Sequence, residues 1–352
     1  MFIDADKQAP QDWDAVARYL ATQGRTLDRD AEIRQFASGV ANMNYLISVD
    51  GRQAVFRRPP NADAPPGAYD FARQFKIQSR LGKALPLTPL GLAYCADTSV
   101  IGVPFLVSEF RRGVAISRAL PEALVGTHDI GGKLSALLIG AMAQLHALDP
   151  AAAGLADLGK AEGFIGRQIQ GWHRRAGRVL AGEQMRQMDV LHAWLVEHQP
   201  AEVPGTLVHL DLKLDNVLID PETLTVQAIV DWEMATIGDP FYDLMLTLLV
   251  WGEPTDPPVY ARQSCMPSDA PGWWTRRHAL EAYQRETGRT LPERHLKFHW
   301  LLAMFRNIGA QAQLVALYAH EAMPNASTVD FASVFASTLD HAVKLTAAPL
   351  DW

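Results

Sequence analysis

Asp211 and Asn216 lie five residues apart, and Asp231 follows Asn216 by fifteen. They sit in Val208-His209-Leu210-Asp211-Leu212-Lys213-Leu214-Asp215-Asn216-Val217-Leu218-Ile219 and Ile229-Val230-Asp231-Trp232-Glu233. These residue types at this spacing suit phosphoryl transfer from Mg-ATP. That reaction needs a carboxylate beside the acceptor hydroxyl and oxygen ligands for Mg²⁺. The first segment reads as a loop entering a strand, the second as the end of the returning strand. Such a hairpin brings Asn216 and Asp231 together as metal ligands and leaves Asp211 as the base. The pattern H-x-D-x(4)-N with a strand-terminal Asp is long and specific. An Asp-x(4)-Asn pair alone is as readily a solvated turn, because both side chains bond their own backbone. His209 reads as structural, holding the loop by hydrogen bonds. Asp239 before Pro240 has the form of an N-cap with proline at N1.

The elements that must position these residues change character along the chain. Residues 12–23 read as an amphipathic helix capped by Asp12. Period-two alternation then predicts strands at 33–37, 44–49 and 53–57, with Asp50-Gly51 as the tight turn between the last two. A Pro-rich connection, 59–66, leads to a helix over 69–82, and strands follow at 90–94 and 105–109. Beyond Phe110 the pattern is helical at 134–148, 163–180 and 185–198. Short strands interrupt it at 207–209, 216–219 and 228–230, and helices resume at Pro240. The reading is α+β, a small N-terminal lobe of residues 1–110 and a larger, mostly helical lobe of 111–352. A cleft between two lobes is a favoured ligand site.

Composition excludes several classes. The chain of 352 residues is 48% hydrophobic with nine Trp, so it can bury a core and is not a disordered segment. Lys plus Arg is 32 against 39 Asp plus Glu, a net charge of −7, which argues against a general nucleic-acid binder. Cys95 and Cys265 have no metal or redox spacing, so a disulfide scaffold is out and a reducing cytoplasm is expected. No apolar stretch reaches the ~20 residues of a membrane span, and the first residues do not resemble a secretion signal. Nothing in the sequence speaks to oligomeric state.

With these motifs in place, the sequence resembles the aminoglycoside phosphotransferase and choline kinase-like superfamily. The branch it is most similar to is associated with acyl-CoA dehydrogenases. Further matching segments are Val55-Phe56-Arg57-Arg58-Pro59-Pro60, Gly102-Val103-Pro104-Phe105, Leu145-His146-Ala147-Leu148-Asp149 and Gly238-Asp239-Pro240-x-x-Asp243-Leu244. Arg167-Gln168-Ile169-x-x-Trp172 also fits, and the resemblance runs from about residue 30 to 320. It implies a protein kinase-like bilobal fold, with Asp211 as catalytic base and Asn216 and Asp231 on magnesium. It also implies that Asp239 braces the catalytic loop, and that ATP and Mg²⁺ are required.

The same resemblance places a nucleotide loop between the first two strands, at Phe36-Ala37-Ser38-Gly39-Val40-Ala41-Asn42-Met43-Asn44. Ser38, Gly39 and Asn42 are the candidates there, because small residues let backbone N–H groups approach phosphates. By itself a Ser-Gly turn is only a turn. Arg57 stands where a lysine would pair with the α/β-phosphates, a role Arg fills with different geometry. Adenine is expected at the linker backbone from Glu109 to Arg111. Two departures bear on activity. Gln74 stands where a glutamate should partner the cation, and Leu210 replaces the small residue usual between the His and the Asp.

Competing motifs fail. The segment Gly126 to Ser135 approaches a Walker A loop, but its Lys and Ser are displaced by one, and G-x-G-x-x-G, H-E-x-x-H and G-x-S-x-G are absent. Asp231-Trp232-Glu233 instead of Asp-Phe-Gly, with only fourteen residues between Asn216 and Asp231, argues against a protein kinase. The expected activity is phosphoryl transfer to a hydroxyl of a small molecule. The dehydrogenase-associated branch points to a hydroxylated acyl or related metabolite. Trp172, Trp232, Trp251, Trp300 and Arg306 are acceptor-site candidates, although aromatics are as readily core. The alternatives are a weak or inactive kinase-like nucleotide-binding scaffold and a helical interaction protein with a structural Asp-Asn loop.

Overall fold

The computed structural model describes residues 2–37, 42–60, 70–317, 331–350 and 352. The chain divides into two compact units. One comprises Met1–Arg112, Ala153–Leu155 and Gln227–Glu233, the other Gly113–Ala152, Ala156–Val226 and Met234–Trp352.

In the first unit, helix α1 (Trp13–Thr22) begins where Asp12 accepts the Ala15 N–H at 2.8 Å. Its apolar face buries Val16 and Leu20 completely. Strands β1 (Arg34–Gln35), β2 (Met43–Val49) and β3 (Arg52–Arg58) follow, then α2 (Phe71–Ala84), β4 (Gly91–Cys95) and β5 (Phe105–Glu109). They form one antiparallel sheet, ordered β1-β2-β3-β5-β4. Five strands with a helix between the third and fourth match the sequence reading. Asp50 and Gly51 take φ of 53° and 72°, the left-handed pair whose twist suits a two-residue hairpin. The first strand is shorter than the expected 33–37; beyond it Phe36 bridges to Phe2 while its N–H still donates to Asn44 O at 2.9 Å. Tyr45, Ile47, Ala54, Phe56, Phe105 and Val107 make the core with α1. Across the sheet, α2 lies so close to β4 that a Cβ on Gly91 would meet the Phe75 ring at 3.0 Å.

The second unit holds α3 (Ile130–His146), α4 (Phe164–Ala176) and α5 (Gly182–Glu197), then the short strands β6 (Thr206–Val208), β7 (Val217–Asp220), β8 (Thr225–Ile229) and β9 (Thr236–Gly238). Helices α6 (Pro240–Leu249), α7 (Pro258–Ala261), α8 (Arg276–Thr287), α9 (Glu293–Leu317) and α10 (Phe331–Ala347) complete it. β7 pairs with β8, whose end passes into the first unit, and β6 pairs with β9. The β9 strand was not expected: three residues are too few for a periodic signal. Its Gly238 is required by packing, since a Cβ there would sit 2.6 Å from the Phe164 ring. Every residue of α6 is buried, so it reads as hydrophobic all round, as a core helix does. No helix among the described residues is long and apolar enough to cross a membrane.

Candidate active site

The loop after β6 is held from below by α6. Asp243 Oδ2 accepts the His209 N–H and Oδ1 the Leu210 N–H, both at 2.7 Å. One turn on, Thr247 Oγ1 donates to the Leu212 carbonyl at 2.6 Å. The spacing of four puts both side chains on one face of α6, so a single rigid helix fixes the loop. Asp243 is fully buried, and its Oδ2 also meets His146 Nε2 at 3.1 Å. His146 Nδ1 lies 2.7 Å from the Tyr283 hydroxyl. Burial pushes the Asp243 carboxyl up, but the bond and charge of His146, with His209, outweigh it and hold it below the usual range. The brace expected from Asp239 therefore falls to Asp243. Asp239 instead caps α6, accepting the Phe241 and Tyr242 N–H groups at 2.7 and 3.2 Å, and faces His299.

This anchoring explains Leu210. Its φ is 65°, left-handed backbone that a non-glycine residue adopts at a cost of about 1 kcal/mol. Any residue with a Cβ carries that cost, so glycine suits this backbone best. The Leu210 side chain is buried and its N–H is bonded.

Within the loop, Asn216 Nδ2 donates to the Asp211 carbonyl at 2.8 Å and to Asp211 Oδ2 at 3.0 Å. Lys213 Nζ reaches the same Oδ2 at 2.8 Å and Asp215 Oδ1 at 3.2 Å. Among the described residues, Asp211 Oδ1 is thus the carboxylate oxygen left without a partner. Burial opposes the charge on Lys213, yet Asp211 and Asp215 raise its affinity for the proton above the ordinary value. Burial pushes the Asp215 carboxyl up despite Lys213. Beside Asp211 lies a cavity of about 80 Å³ lined also by Lys213, Leu246, Leu249, Val250 and Arg306. Of the five acceptor-site candidates, Arg306 alone lines it. Trp172, Trp232, Trp251 and Trp300 are buried core residues.

In the first unit, Arg57 on β3 donates from Nε to Asn44 Oδ1 at 2.9 Å and from Nη1 to Gln74 Oε1 at 3.4 Å. Gln74 Nε2 in turn donates to Glu233 Oε1 at 2.9 Å. Burial and then Asp231 push the Glu233 carboxyl up; Arg57 and bonds from Gln74 and Asn42 oppose them. Asp231 itself takes a φ of 67°, which Asp tolerates better than most residues. The Ile229 N–H, two residues earlier, donates to Leu87 O at 2.6 Å, which ties this segment to the first unit. Ser38 and Gly39 lie outside the described residues. Glu109 and Arg111 pair with each other at 2.9 Å. Their backbone narrows the adenine expectation: the Glu109 N–H already donates to Leu90 O and the Phe110 N–H to Gln53 O. Of the three linker N–H groups, that of Arg111 has no such bond among the described residues.

Asn216 and Asp231 are the residues that could hold Mg²⁺. No three His, Cys, Asp or Glu converge among the described residues. One carboxamide and one carboxylate are the sparse protein ligation of a cation that keeps waters and phosphate oxygens. Asn216 is oriented for it, since its Nδ2 is held by Asp211 and its hard oxygen Oδ1 is left over. Three residues escaped the sequence reading as parts of the site: Lys213, Asp243 and Glu233. Lys213 and Glu233 each stand two residues from a motif Asp, and Asp243 lies in the Gly-Asp-Pro-x-x-Asp segment. Spacing therefore offered a signal without saying which contact each would make.

Residues 32–277 match the model of the phosphotransferase enzyme family. The chain is 32% identical over 248 residues to acyl-CoA dehydrogenase family member 10 of Mus musculus, covering 70% of this chain and 23% of that protein. It is 32% identical over 225 residues to family member 11 of Gallus gallus, covering 63% of this chain and 28% of that one. The chain thus spans about a quarter of the length of these curated relatives. Among solved structures, a putative aminoglycoside phosphotransferase from Ralstonia eutropha JMP134 superposes with a TM-score of 0.75 at 23% identity, over 96% of this chain and 99% of that one. A thermostable aminoglycoside phosphotransferase mutant, in a ternary complex with ADP and hygromycin B, gives a TM-score of 0.59 at 18% identity, over 96% and 100%. These two likenesses show the kinase-like phosphotransferase fold.

Proposed function

The chain belongs to the phosphotransferase enzyme family, and from that premise we propose that it moves the γ-phosphoryl group of Mg-ATP to a hydroxyl of a small-molecule acceptor. The observation that carries this reading is the clasp of Asn216 on Asp211. Two hydrogen bonds from one amide fix the carboxylate and leave Asp211 Oδ1 and Asn216 Oδ1 open. Asp211 Oδ1 accepts the proton of the acceptor hydroxyl as its oxygen bonds to the γ-phosphorus, and ADP leaves with the electrons of the broken P–O bond. Asn216 and Asp231 would hold Mg²⁺, which would neutralise charge on the phosphates. Arg57 steadies the α/β-phosphates, and Lys213 keeps Asp211 from rotating.

The cavity beside Asp211 supports a choice of acceptor class. Apart from that carboxylate, its charged lining is Lys213 and Arg306, and the rest is Asn307 and the aliphatic Leu212, Leu246, Leu249 and Val250. A polycation such as an aminoglycoside needs an acidic rim. Cationic and aliphatic walls instead favour a hydroxylated acyl or related anionic metabolite. An acceptor screen read by ³¹P NMR tests the reading, with Asp211→Asn as the control. We expect the variant to lose at least ~100-fold in kcat; retention of transfer within about threefold of wild type would show that Asp211 is not the base.

One observation favours a second reading, a nucleotide-binding protein without transfer: the side chain on α2 that meets Arg57 is the neutral Gln74. Magnesium-dependent ATP binding with no transfer across a broad hydroxylated panel would support it.

A further inference from the structure

Helix α2 gives Arg57 an amide where a carboxylate would neutralise it. We infer that Glu233 is the counter-charge of Arg57, acting through the side-chain amide of Gln74, and that this chain of contacts positions the guanidinium for the nucleotide. The inference rests on the proposed reading of Arg57 as a phosphate contact.

A primary amide is suited to stand between a cation and an anion. Its oxygen can accept from a guanidinium while its nitrogen donates to a carboxylate, so neither end is left unpaired. Gln74 does both, accepting from Arg57 Nη1 at 3.4 Å and donating to Glu233 Oε1 at 2.9 Å. The opposite amide orientation would set NH₂ against guanidinium and oxygen against carboxylate, so the two charges fix its sense. Gln74 is only 2% exposed, and low local dielectric strengthens coupling along such a chain. Asn44 takes Arg57 Nε at 2.9 Å, which leaves Nη2 without a partner among the described residues. A guanidinium held at two nitrogens presents the third in a fixed direction. Asn42 also hydrogen-bonds Glu233, so the same carboxylate reaches one of the candidate residues of the expected phosphate loop. Glu233 is a positioning residue on this account, two places beyond the metal-ligand candidate Asp231.

The test is a charge swap across the amide, read as the KM for ATP, kcat and the dissociation constant of a non-hydrolysable Mg-ATP analogue. Glu233→Gln is expected to weaken analogue binding and raise KM by about tenfold, with kcat changed less than about threefold. Gln74→Glu alone sets two carboxylates face to face and is expected to weaken binding similarly. The double variant Gln74→Glu/Glu233→Gln restores one anion and one amide in reversed order, and is expected to return within about threefold of wild type. Thermal melts of all three report whether the fold is intact. Unchanged affinity in Glu233→Gln, or a double variant no better than the singles, overturns the inference. A Glu233→Gln change confined to Mg²⁺ affinity also overturns it, since Glu233 would then serve the metal. Arg57→Met separates the underlying reading: if it binds the analogue as wild type does, Arg57 is not a phosphate contact and both statements fall together.

Discussion

Asp243 Oδ1 accepts the backbone N–H of Leu210 at 2.7 Å, and Leu210 is held there in the left-handed region, with φ of 65°. One buried carboxylate, anchored to His146, thus sets the conformation of the residue immediately before Asp211. Removing one oxygen of this carboxylate removes the anchor and leaves a buried N–H unpaired. Asp243→Asn is therefore expected to destabilise the protein by about 3 kcal/mol, as loss of a buried charged partner does. Urea unfolding measures this as a lower midpoint at constant slope. Where transfer is established, the variant should also lose at least tenfold in kcat, because Asp211 is no longer placed.

The same carboxylate predicts an acid limb of stability. Its folded value is held below the ordinary 3.8 by His146 and the loop, against the effect of burial. A group depressed in the folded state contributes stability that is fully present above its unfolded value. That contribution is lost as pH falls through the folded value. Chemical denaturation between pH 3 and pH 6 should show it, with a shallower acid limb in Asp243→Asn. Identical limbs would place the acid sensitivity elsewhere.

Leu210 sets two effects against each other. Glycine would relieve about 1 kcal/mol of left-handed strain. It would also empty a site where the side chain is only 4% exposed. Truncating a buried Leu costs about 2–5 kcal/mol, so burial outweighs strain. Leu210→Gly is expected to be destabilised by about 2 kcal/mol in urea unfolding, although glycine suits the backbone better.

How much of this was legible in the sequence depends on the range of the forces involved. The Asp50-Gly51 turn, the α1 cap and the alternation of β2 and β3 are local, and each stood where its residues placed it. The spacing of five between Asp211 and Asn216 was readable, but their clasp was not: the reading paired Asn216 with Asp231 and left Asp211 free. Asp-Pro is a local capping signal, and Asp239 does cap; the brace on the loop came to Asp239 only from the family resemblance. Asp243 holds the loop across 34 residues of chain, and Gln74 meets Glu233 across 159, distances that no periodicity reports. The four tryptophans failed as acceptor-site candidates for the same reason: composition cannot separate a core aromatic from one lining a cavity.

Lys213 offers the last prediction, because one cation serves two carboxylates. It bonds Asp211 at 2.8 Å and Asp215 at 3.2 Å, with its side chain 19% exposed. Lys213→Met leaves both carboxylates without their cation. Burial already pushes the Asp215 carboxyl up, and Lys213 is the main opposing influence. The expected loss is about 1–3 kcal/mol, below that of a fully buried pair because the site is partly solvated. It should be greater at pH 8 than at pH 5, since at the lower pH Asp215 can take a proton and shed its unpaired charge. Adding Asp215→Asn removes that charge by another route. The double variant Lys213→Met/Asp215→Asn should therefore be more stable at pH 8 than Lys213→Met alone, with a coupling of about 1–2 kcal/mol. Stability should recover in the double variant while transfer does not, because Asp211 Oδ2 still lacks the ammonium that keeps the carboxylate from rotating. Recovery of both together would make Lys213 a partner of Asp215 only, with no part in holding Asp211.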